Sequence, residues 1–229
     1  MATEGVNVDR STWLAERQAA VIATYDDEAA GYADEYPRTS HVRFVDRLLE
    51  TCPPGGLVLD APCGTGWYFT RIVEAGRRVI GVDQSTGMLR EAAARGLADE
   101  LVHLDLQHLA LDAIADASMT VDAMENIPPE DWPLVLANLR RAVKPGGHHY
   151  MTIEEVDEAE IDTAIAELSA AGVPAVRGEV IEGDVAGYHF YPARDQVERW
   201  LDDAGLRIED ETFDQEDGWG YRHLLLGQR

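Results

Sequence analysis

Residues 57–66, LVLDAPCGTG, decide the fold of this 229-residue chain. Their three apolar residues predict a short buried strand, which ends at the carboxylate of Asp60. Gly64 and Gly66 follow in a turn, where a residue without a Cβ lets the backbone approach a ligand closely. Helical spacing over residues 65–76 comes next, and the N-terminus of that helix offers N–H groups to an anion. The stretch therefore predicts a strand–turn–helix unit that binds a ligand at its turn.

The residues downstream repeat this alternation of strand and helix. Buried strands are predicted at 79–82, 101–104, 117–121 and 149–153, and helices at 86–95 and 132–143. Beyond these we expect an acidic helix over 154–171, a hairpin or lid over 173–191, a helix over 193–204, and last strands at 206–213 and 221–227. Such alternation is typical of βαβ units. We therefore expect an α/β fold, with a Rossmann-like, seven-stranded and mostly parallel sheet, helices on both faces and an N-terminal helical cap.

The chain is expected to form a single domain, 1–229, with four parts. These are a helical cap over 10–50, a cofactor-binding half over 57–153, a substrate or lid insert over 154–192, and a C-terminal helix and hairpin over 193–229. Pro37 interrupts the helical spacing of the cap, which predicts at least two helices there.

The composition argues against several classes of function. Asp and Glu total 43 against 19 Lys and Arg, a net charge of −24, which repels phosphate backbones and anionic membranes. No apolar run reaches the roughly 18–20 residues that a membrane span needs, and the first ten residues lack a signal-peptide core. Two cysteines without a known metal-ligand spacing favour a reduced, cytoplasmic protein with no metal site. We expect a small-molecule partner, no nucleic acid and no membrane, in a monomer or a homodimer.

Three aspartates stand at the ends of three successive predicted strands: Asp60, Asp83 and Asp105. In an open α/β sheet, ligands bind outside the carboxyl ends of the strands. Carboxylates at that edge suit hydroxyls, amines and positive charge better than a phosphate. S-adenosylmethionine combines a diol, an exocyclic amine and positive charge with a carboxylate that suits a helix N-terminus, so we expect it as the cofactor.

A resemblance to a known family follows from these residues. Residues 58–66 followed by 79–83 resemble the cofactor half of class I S-adenosylmethionine-dependent methyltransferases. Pro62 stands where the family's loop usually has its first glycine, and it removes one backbone N–H. Three further segments are similar to parts of the family: 25–36 to a helical cap, 116–127 to the fourth strand and its loop, and 144–147 to the turn before the fifth strand. The glycine loop alone is a weak signal, but together these matches are specific.

The resemblance implies roles for individual residues. Asp83 would bind the ribose hydroxyls, and Asp105 with the backbone of Leu106 would bind the adenine. The full set expected at the cofactor is Asp60, Ala61, Pro62, Gly64, Gly66, Asp83, Gln84, Met88, Asp105, Leu106, Asp122, Tyr25 and Tyr32. The set expected at the acceptor substrate is Glu125, Asn126, Tyr188, Tyr191 and Tyr36.

Methyl transfer from a sulfonium requires that the nucleophile is held in line and that water is excluded. A general base helps where the nucleophile is a hydroxyl. His189 and His149 are candidate bases because imidazole titrates near neutral pH, and Glu154 is a further candidate at the end of the fifth strand. The acceptor is expected to be an O, N or C nucleophile of a small metabolite.

Two other functions compete with this interpretation. A nicotinamide-dependent oxidoreductase needs Gly-x-Gly-x-x-Gly after its first strand, whereas here Trp67, Tyr68 and Phe69 follow Gly66, so the third glycine is missing. A non-catalytic, methyltransferase-like binding or regulatory module would keep the fold without turnover. The intact cofactor loop argues against that second alternative.

Overall fold

A seven-stranded sheet forms the centre of the computed structural model, which describes residues 9–32, 41–182, 187–216 and 219–229. Its strands are β1 (Leu57–Asp60), β2 (Arg78–Asp83), β3 (Glu100–His103), β4 (Ala115–Thr120), β5 (Val143–Glu155), β8 (Leu206–Glu216) and β9 (Trp219–Gln228). They lie in the order β3-β2-β1-β4-β5-β9-β8, and β9 runs antiparallel to both of its neighbours. Strands β6 (Glu179–Glu182) and β7 (Gly187–Phe190) pair as a separate antiparallel hairpin.

Seven helices connect these strands in the described part of the chain. They are α1 (Arg10–Glu28), α2 (Val42–Thr51), α3 (Phe69–Glu74), α4 (Thr86–Arg95), α5 (Trp132–Ala142), α6 (Glu158–Ala170) and α7 (Arg194–Asp203). Short 3-10 turns at Leu106–His108 and Met124–Asn126 follow β3 and β4. None of the described helices combines the length and the apolar character that crossing a bilayer requires. The predicted Rossmann-like architecture, with its N-terminal helix, is confirmed.

Apolar side chains cover both faces of the sheet because successive residues of a strand point to opposite sides. Val58 joins one buried cluster with Phe44 of α2 and Phe69 of α3. Leu59 joins the other, with Trp132 of α5 and residues of α7. The two faces therefore need helices on both sides, as near-continuous apolar strands require.

The strand order places a binding crevice beside β1. This strand pairs in parallel with β2 on one side and with β4 on the other, so the chain order reverses between β1 and β4. At such a reversal the loops that leave neighbouring strands diverge and leave a crevice at the carboxyl ends. The loops after β1, β2, β3 and β4 meet there.

Helix α1 rests on the first turn of α4. The Asp26 carboxylate of α1 accepts hydrogen bonds from Ser85 Oγ at 2.6 Å and from the Gly87 N–H at 2.7 Å. A Cβ on Gly87 would lie 2.6 Å from the Asp26 carbonyl oxygen, so only glycine permits this approach. Because α4 follows β2, this contact brings the N-terminal helix to the edge of the crevice.

The structure differs from the predicted elements at two loops. The helix expected over 65–76 is confined to Phe69–Glu74, because the turn before it continues through two glycines with positive φ. Strand β5 begins at Val143, and residues 144–147 bulge around Asp116, whose neighbours Ala115 and Ala117 pair with Val143 and His148.

In the second half of the chain, several helices and strands begin or end at residues other than the predicted ones. Helix α6 begins at Glu158 rather than at 154, because Glu154 and Glu155 continue β5 and pair with β9. The hairpin expected over 173–191 is confirmed by the pairing of β6 with β7. The final two strands are longer than predicted and form an antiparallel pair at one edge of the sheet.

Two leucines of α5 provide a matched test of the core. Leu136 is fully buried, and Leu134 on the same helix is 48% exposed. We expect Leu136→Ala to lower the free energy of unfolding by about 2–5 kcal/mol, because it leaves a cavity. Leu134→Ala should change it by about 0.5 kcal/mol or less. Urea unfolding of both variants measures the difference, and equal losses would contradict the packing of α5.

Candidate functional site

A cavity opens where the loops after β1 to β4 meet. It spans about 1070 Å³, a volume that includes space open to solvent. The residues that line it are Tyr25, Tyr32, Asp60, Pro62, Cys63, Gly64, Thr65, Trp67, Tyr68, Asp83, Gln84, Met88, Leu104, Asp105, Leu106, Val121, Asp122, Ala123, Asn126 and Ile127. The cavity is thus built from the first four parallel strands and from the N-terminal helix, and its size suits a nucleoside-sized ligand.

Gly64 and Gly66, the two glycines of the loop after β1, have different structural roles. Gly64 has φ +51°, and a Cβ there would meet nothing within 4 Å, because this residue borders the cavity. Gly66 has φ +68°, and a Cβ there would lie 2.6 Å from the Phe69 ring. Gly64 therefore leaves space for a ligand, while Gly66 lets the turn close over the start of α3.

Asp83, the last residue of β2, joins two loops of the cavity. Its Oδ2 accepts a hydrogen bond from the Gly64 N–H at 2.8 Å, and its Oδ1 accepts one from the Ser85 N–H at 2.8 Å. The side chain is buried, and burial raises its pKa although these N–H groups oppose the rise. Each carboxylate oxygen keeps a second lone pair, so Asp83 can still accept from ligand hydroxyls.

Asp60, the last residue of β1, is a buried carboxylate of a different kind. It is 1% exposed, and its Oδ2 accepts no hydrogen bond from the residues that the structure describes. Burial, and then the nearby charge of Asp83, raise its pKa well above the ordinary value. A buried carboxylate without a donor is costly, so the site suits a ligand that brings a cation or a donor to Asp60.

The loops after β3 and β4 supply the opposite wall. Asp105 accepts the Gln107 N–H at 2.9 Å through Oδ1, and the buried Leu106 follows it. Asp122 has φ +53°, and its N–H donates to Thr152 Oγ1 at 2.7 Å. A non-glycine residue in this region is uncommon, and here it turns the chain into the cavity wall after β4.

Two tyrosines of the N-terminal segment close the cavity from above. The rings of Tyr25 and Tyr32 meet edge to face with centroids 5.9 Å apart. Asn126 Nδ2 donates to Tyr25 Oη at 3.3 Å, which links the cap to the turn after β4. The cavity is therefore bounded by the cap as well as by the sheet.

Comparison with known proteins identifies this arrangement. Residues 58–147 match the methyltransferase domain family, and the matched segment contains the glycine loop, Asp60, Asp83, Asp105 and Asp122. This segment of the chain is therefore a methyltransferase domain, and the fold around it is one that S-adenosylmethionine-dependent methyltransferases share. The match confirms the resemblance inferred from the glycine loop and the residues after β2. It also sets aside the nicotinamide-dependent oxidoreductase.

Individual relatives agree with this family. The methyltransferase is 37% identical over 126 residues to a malonyl-[acyl-carrier protein] O-methyltransferase of Erwinia pyrifoliae, covering 52% of this chain and 46% of that protein. It is 30% identical over 205 residues to an uncharacterized 37.1 kDa protein in transposon TN4556 of Streptomyces fradiae, covering 85% of this chain and 57% of that one. The chain thus spans about half the length of these relatives.

A solved structure shows the same fold. The 1,6-didemethyltoxoflavin-N1-methyltransferase of Burkholderia thailandensis, with bound 1,6-didemethyltoxoflavin and S-adenosylhomocysteine, superimposes with a TM-score of 0.71 at 16% identity. The alignment covers 96% of this chain and 91% of that one. At this identity the likeness concerns the fold alone.

Most of the predicted cofactor residues of the methyltransferase border the cavity. These are Asp60, Pro62, Gly64, Asp83, Gln84, Met88, Asp105, Leu106, Asp122, Tyr25 and Tyr32. Ala61 and Gly66 do not: the Ala61 N–H donates to the Met119 carbonyl, and Gly66 packs on Phe69. Both residues shape the loop from beneath rather than presenting atoms to a ligand.

The structure does not bring the three candidate bases to the cavity. His149 is buried within β5, where its Nδ1 lies 2.7 Å from Ser118 Oγ, and burial lowers its pKa to about 3. Glu154 accepts a hydrogen bond from Tyr221 Oη at 3.3 Å, and His189 Nδ1 lies 3.1 Å from Tyr191 Oη on the hairpin. None of the three borders the cavity, so their role as bases stays a prediction.

Of the described residues that were predicted to bind the acceptor, one borders the cavity and three do not. Asn126 borders the cavity, whereas Glu125 is buried beside it and accepts the Asn126 amide at 3.2 Å. Tyr188 is fully buried and donates to Glu179 Oε1 at 2.8 Å, and Tyr191 packs in a small cluster with α6. These two tyrosines anchor the hairpin to the body of the protein and do not border the cavity. Tyr36 lies outside the described residues.

Several cavity residues were missed by sequence reasoning. Trp67 and Tyr68 follow the second glycine, and their rings meet edge to face at 5.0 Å. The hydroxyl of Tyr68 lies 3.3 Å from Nδ1 of His41, a fully buried residue just before α2. Cys63 and Thr65 of the loop after β1 also belong to the missed set, and apolar residues of the loops after β3 and β4 complete it: Leu104, Val121, Ala123 and Ile127. The position of Trp67 and Tyr68 directly after the glycine turn was the signal in the sequence that could have indicated an aromatic cavity wall.

The two loop glycines give a paired test of the site. We expect Gly64→Val to abolish cofactor binding, because its side chain enters the cavity, while a cost of roughly 1–2 kcal/mol for the left-handed backbone leaves the fold intact. Gly66→Ala should lower Tm more, because its Cβ meets Phe69. Calorimetric titration with S-adenosylhomocysteine and thermal unfolding measure both effects. Retained affinity in Gly64→Val would place the cofactor elsewhere.

Proposed function

We propose that this chain transfers the methyl group of S-adenosylmethionine to an O, N or C nucleophile of a small molecule. The observation that carries the proposal is the cavity at the strand reversal, where Gly64 leaves space for a ligand and the buried carboxylates of Asp60 and Asp83 line the same cavity. The family match and the fold support the same reaction.

The cavity residues fit the groups of this cofactor. Asp83 would accept the ribose hydroxyls with its remaining lone pairs, and Asp105 with the backbone of Leu106 would hold the adenine. Asp60 would face the positive charge of the cofactor. Its buried Oδ2 accepts no hydrogen bond from the described residues, so a ligand cation would stabilise its negative charge. Met88 and the tyrosines of the cap would cover the apolar surface of the ligand.

When bound, S-adenosylmethionine supplies a methyl group that is already activated on a sulfonium. The chain then has to bind, orient and exclude water. Tyr25 and Tyr32 would close the mouth, and Trp67 with Tyr68 would form an apolar wall next to the glycine loop. Tyr68 would also offer a hydroxyl, held by His41, to an acceptor with a hydrogen-bonding nucleophile.

The charge of the cavity favours a neutral or cationic acceptor. Among its described lining residues there are four aspartates and no Lys, Arg or His. An anionic acceptor, such as the malonyl group named for several relatives, would find no basic side chain among these lining residues to pair with. We also propose that the protein acts in the cytoplasm, as a monomer or a homodimer, without nucleic acid or membrane. Its net charge of −24 and its two unpaired, buried cysteines support this.

Substitution of Asp83 tests the cofactor site. We expect Asp83→Asn to weaken S-adenosylmethionine binding at least about tenfold, because charge-assisted hydrogen bonds to the ribose are worth roughly 1.5–3 kcal/mol each. Asp112→Asn, at an exposed position, is the matched control. Titration calorimetry gives the affinities, and Tm shows whether losing the Gly64 and Ser85 contacts disturbs the loops. An unchanged Kd in Asp83→Asn would be incompatible with this site.

An acceptor panel tests the reaction. We expect S-adenosylhomocysteine to form with an amine, a phenol or an alcohol of metabolite size, and not with a malonyl thioester, because the cavity is acidic. Coupled detection of S-adenosylhomocysteine, with Gly64→Val as the inactive control, measures turnover. Methylation of the malonyl thioester would overturn the proposed acceptor class but not the reaction. Tight cofactor binding without turnover on any acceptor would favour a binding module.

A further inference from the structure

Asp60 and Asp83 are neighbouring buried carboxylates with unequal surroundings. Asp83 accepts two backbone N–H groups at 2.8 Å, which stabilise its negative charge. Asp60 has no such support at Oδ2, although it is the more buried of the two at 1% against 6% exposure. When two carboxylates share a desolvated site, the one without donors holds the proton more tightly.

The groups that face Asp60 do not supply a compensating cation. Asp83 from β2 and Cys63 in the loop after β1 interact electrostatically with Asp60, and Asp122 after β4 and Tyr25 from α1 line the same cavity. Burial, and then Asp60 itself, raise the pKa of the Cys63 thiol, so that thiol stays neutral. No basic side chain is found among the described residues that border the cavity.

We propose that Asp60 carries a proton when the cavity holds no cation and releases it when the positively charged end of the cofactor enters. This inference rests on the proposed function and concerns how the same site selects its cofactor. The O–H bond of Asp60 breaks, the proton passes to solvent, and the carboxylate faces the cofactor's cation. Binding therefore exchanges one positive charge for another, and neither a buried bare carboxylate nor an unpaired buried cation has to form.

The exchange makes cofactor affinity depend on pH in a defined direction. Without a cation, burial and Asp83 raise the pKa of Asp60, whereas a bound cation lowers it again. Between these two pKa values the affinity for S-adenosylmethionine rises with pH, by up to about tenfold per pH unit. Above the higher of the two pKa values, Asp60 is already ionised without a cation. The affinity for the cofactor then no longer depends on pH through Asp60.

Titration calorimetry in phosphate and in Bis-Tris at pH 6.5 counts the protons released on binding, because the two buffers differ in ionisation enthalpy. At this pH the amino group of the cofactor, with a typical pKa of about 7.7–8.0, is mostly charged already. We expect S-adenosylmethionine binding to release protons, because the bound cation lowers the raised pKa of Asp60. The neutral nucleoside 5′-methylthioadenosine should release none, because it lacks the cationic amino-acid end.

Asp60→Asn is the matched variant, since it keeps the shape of the side chain and cannot titrate. We expect it to bind 5′-methylthioadenosine within about threefold of the wild type and to release no proton with S-adenosylmethionine. Its affinity for S-adenosylmethionine should also lose the rise with pH. Equal proton release by the variant and the wild type, or none by the wild type, would overturn the exchange.

A measurement on the wild-type protein keeps the test valid if Asp60→Asn does not fold. The carbon-13 carboxyl signal of Asp60, followed by NMR without cofactor, should titrate well above about 3.9, the ordinary value for aspartate. Titration at the ordinary value, with normal S-adenosylmethionine binding, would overturn the exchange and leave the proposed function standing. A raised titration with no affinity for the cofactor would instead overturn the proposed function.

Discussion

The hydrogen bonds of Asp83 are the interaction on which the site depends. One carboxylate, at the end of β2, accepts the N–H of Gly64 from the loop after β1 and the N–H of Ser85 from the loop before α4. Parallel strands bring their carboxyl ends together, but nothing in a βαβ unit joins the loops that leave them. The two hydrogen bonds of Asp83 link these loops, and the linked loops form the floor of the cavity.

The same arrangement explains why two aspartates in equivalent positions have different chemistry. Asp60 and Asp83 each end a buried strand, and these two strands, β1 and β2, are neighbours beside the reversal of strand order. Asp83 gains backbone donors because the following loop turns back at Ser85. Asp60 gains none at Oδ2, because the backbone around it bonds elsewhere: the Ala61 N–H donates to Met119 and the Cys63 N–H to Val82. Loop direction, rather than residue type, separates the two groups.

Strand-end carboxylates and strongly capped helices were the features most accessible from the sequence. Helix α4 has the predicted limits because Ser85 caps its start and Gly96, with φ +63°, ends it. The aspartates after β1, β2 and β3 could be placed together because the topology of parallel strands brings their ends to one edge.

Features that depend on contacts distant in sequence could not be predicted. A histidine within a strand, such as His149, has no sequence signal that tells a buried pair with Ser118 from a place in a pocket. The role of Tyr188 depends on Glu179, which itself pairs with Arg10 of α1. The start of α3 was misplaced because Phe69 and Ile72 keep helical spacing while the glycine turn before them does not.

The contact between α1 and α4 extends beyond packing. Asp26 accepts the hydroxyl of Ser85, whose oxygen in turn accepts the N–H of Met88, a residue of the cavity wall. The family match begins at residue 58, so this acceptor comes from a segment outside the matched core. A chimera that exchanged the N-terminal helix between relatives would therefore have to import a carboxylate at this point. The N-terminal helix is therefore not an independent module, because one of its side chains, Asp26, supports the first turn of α4.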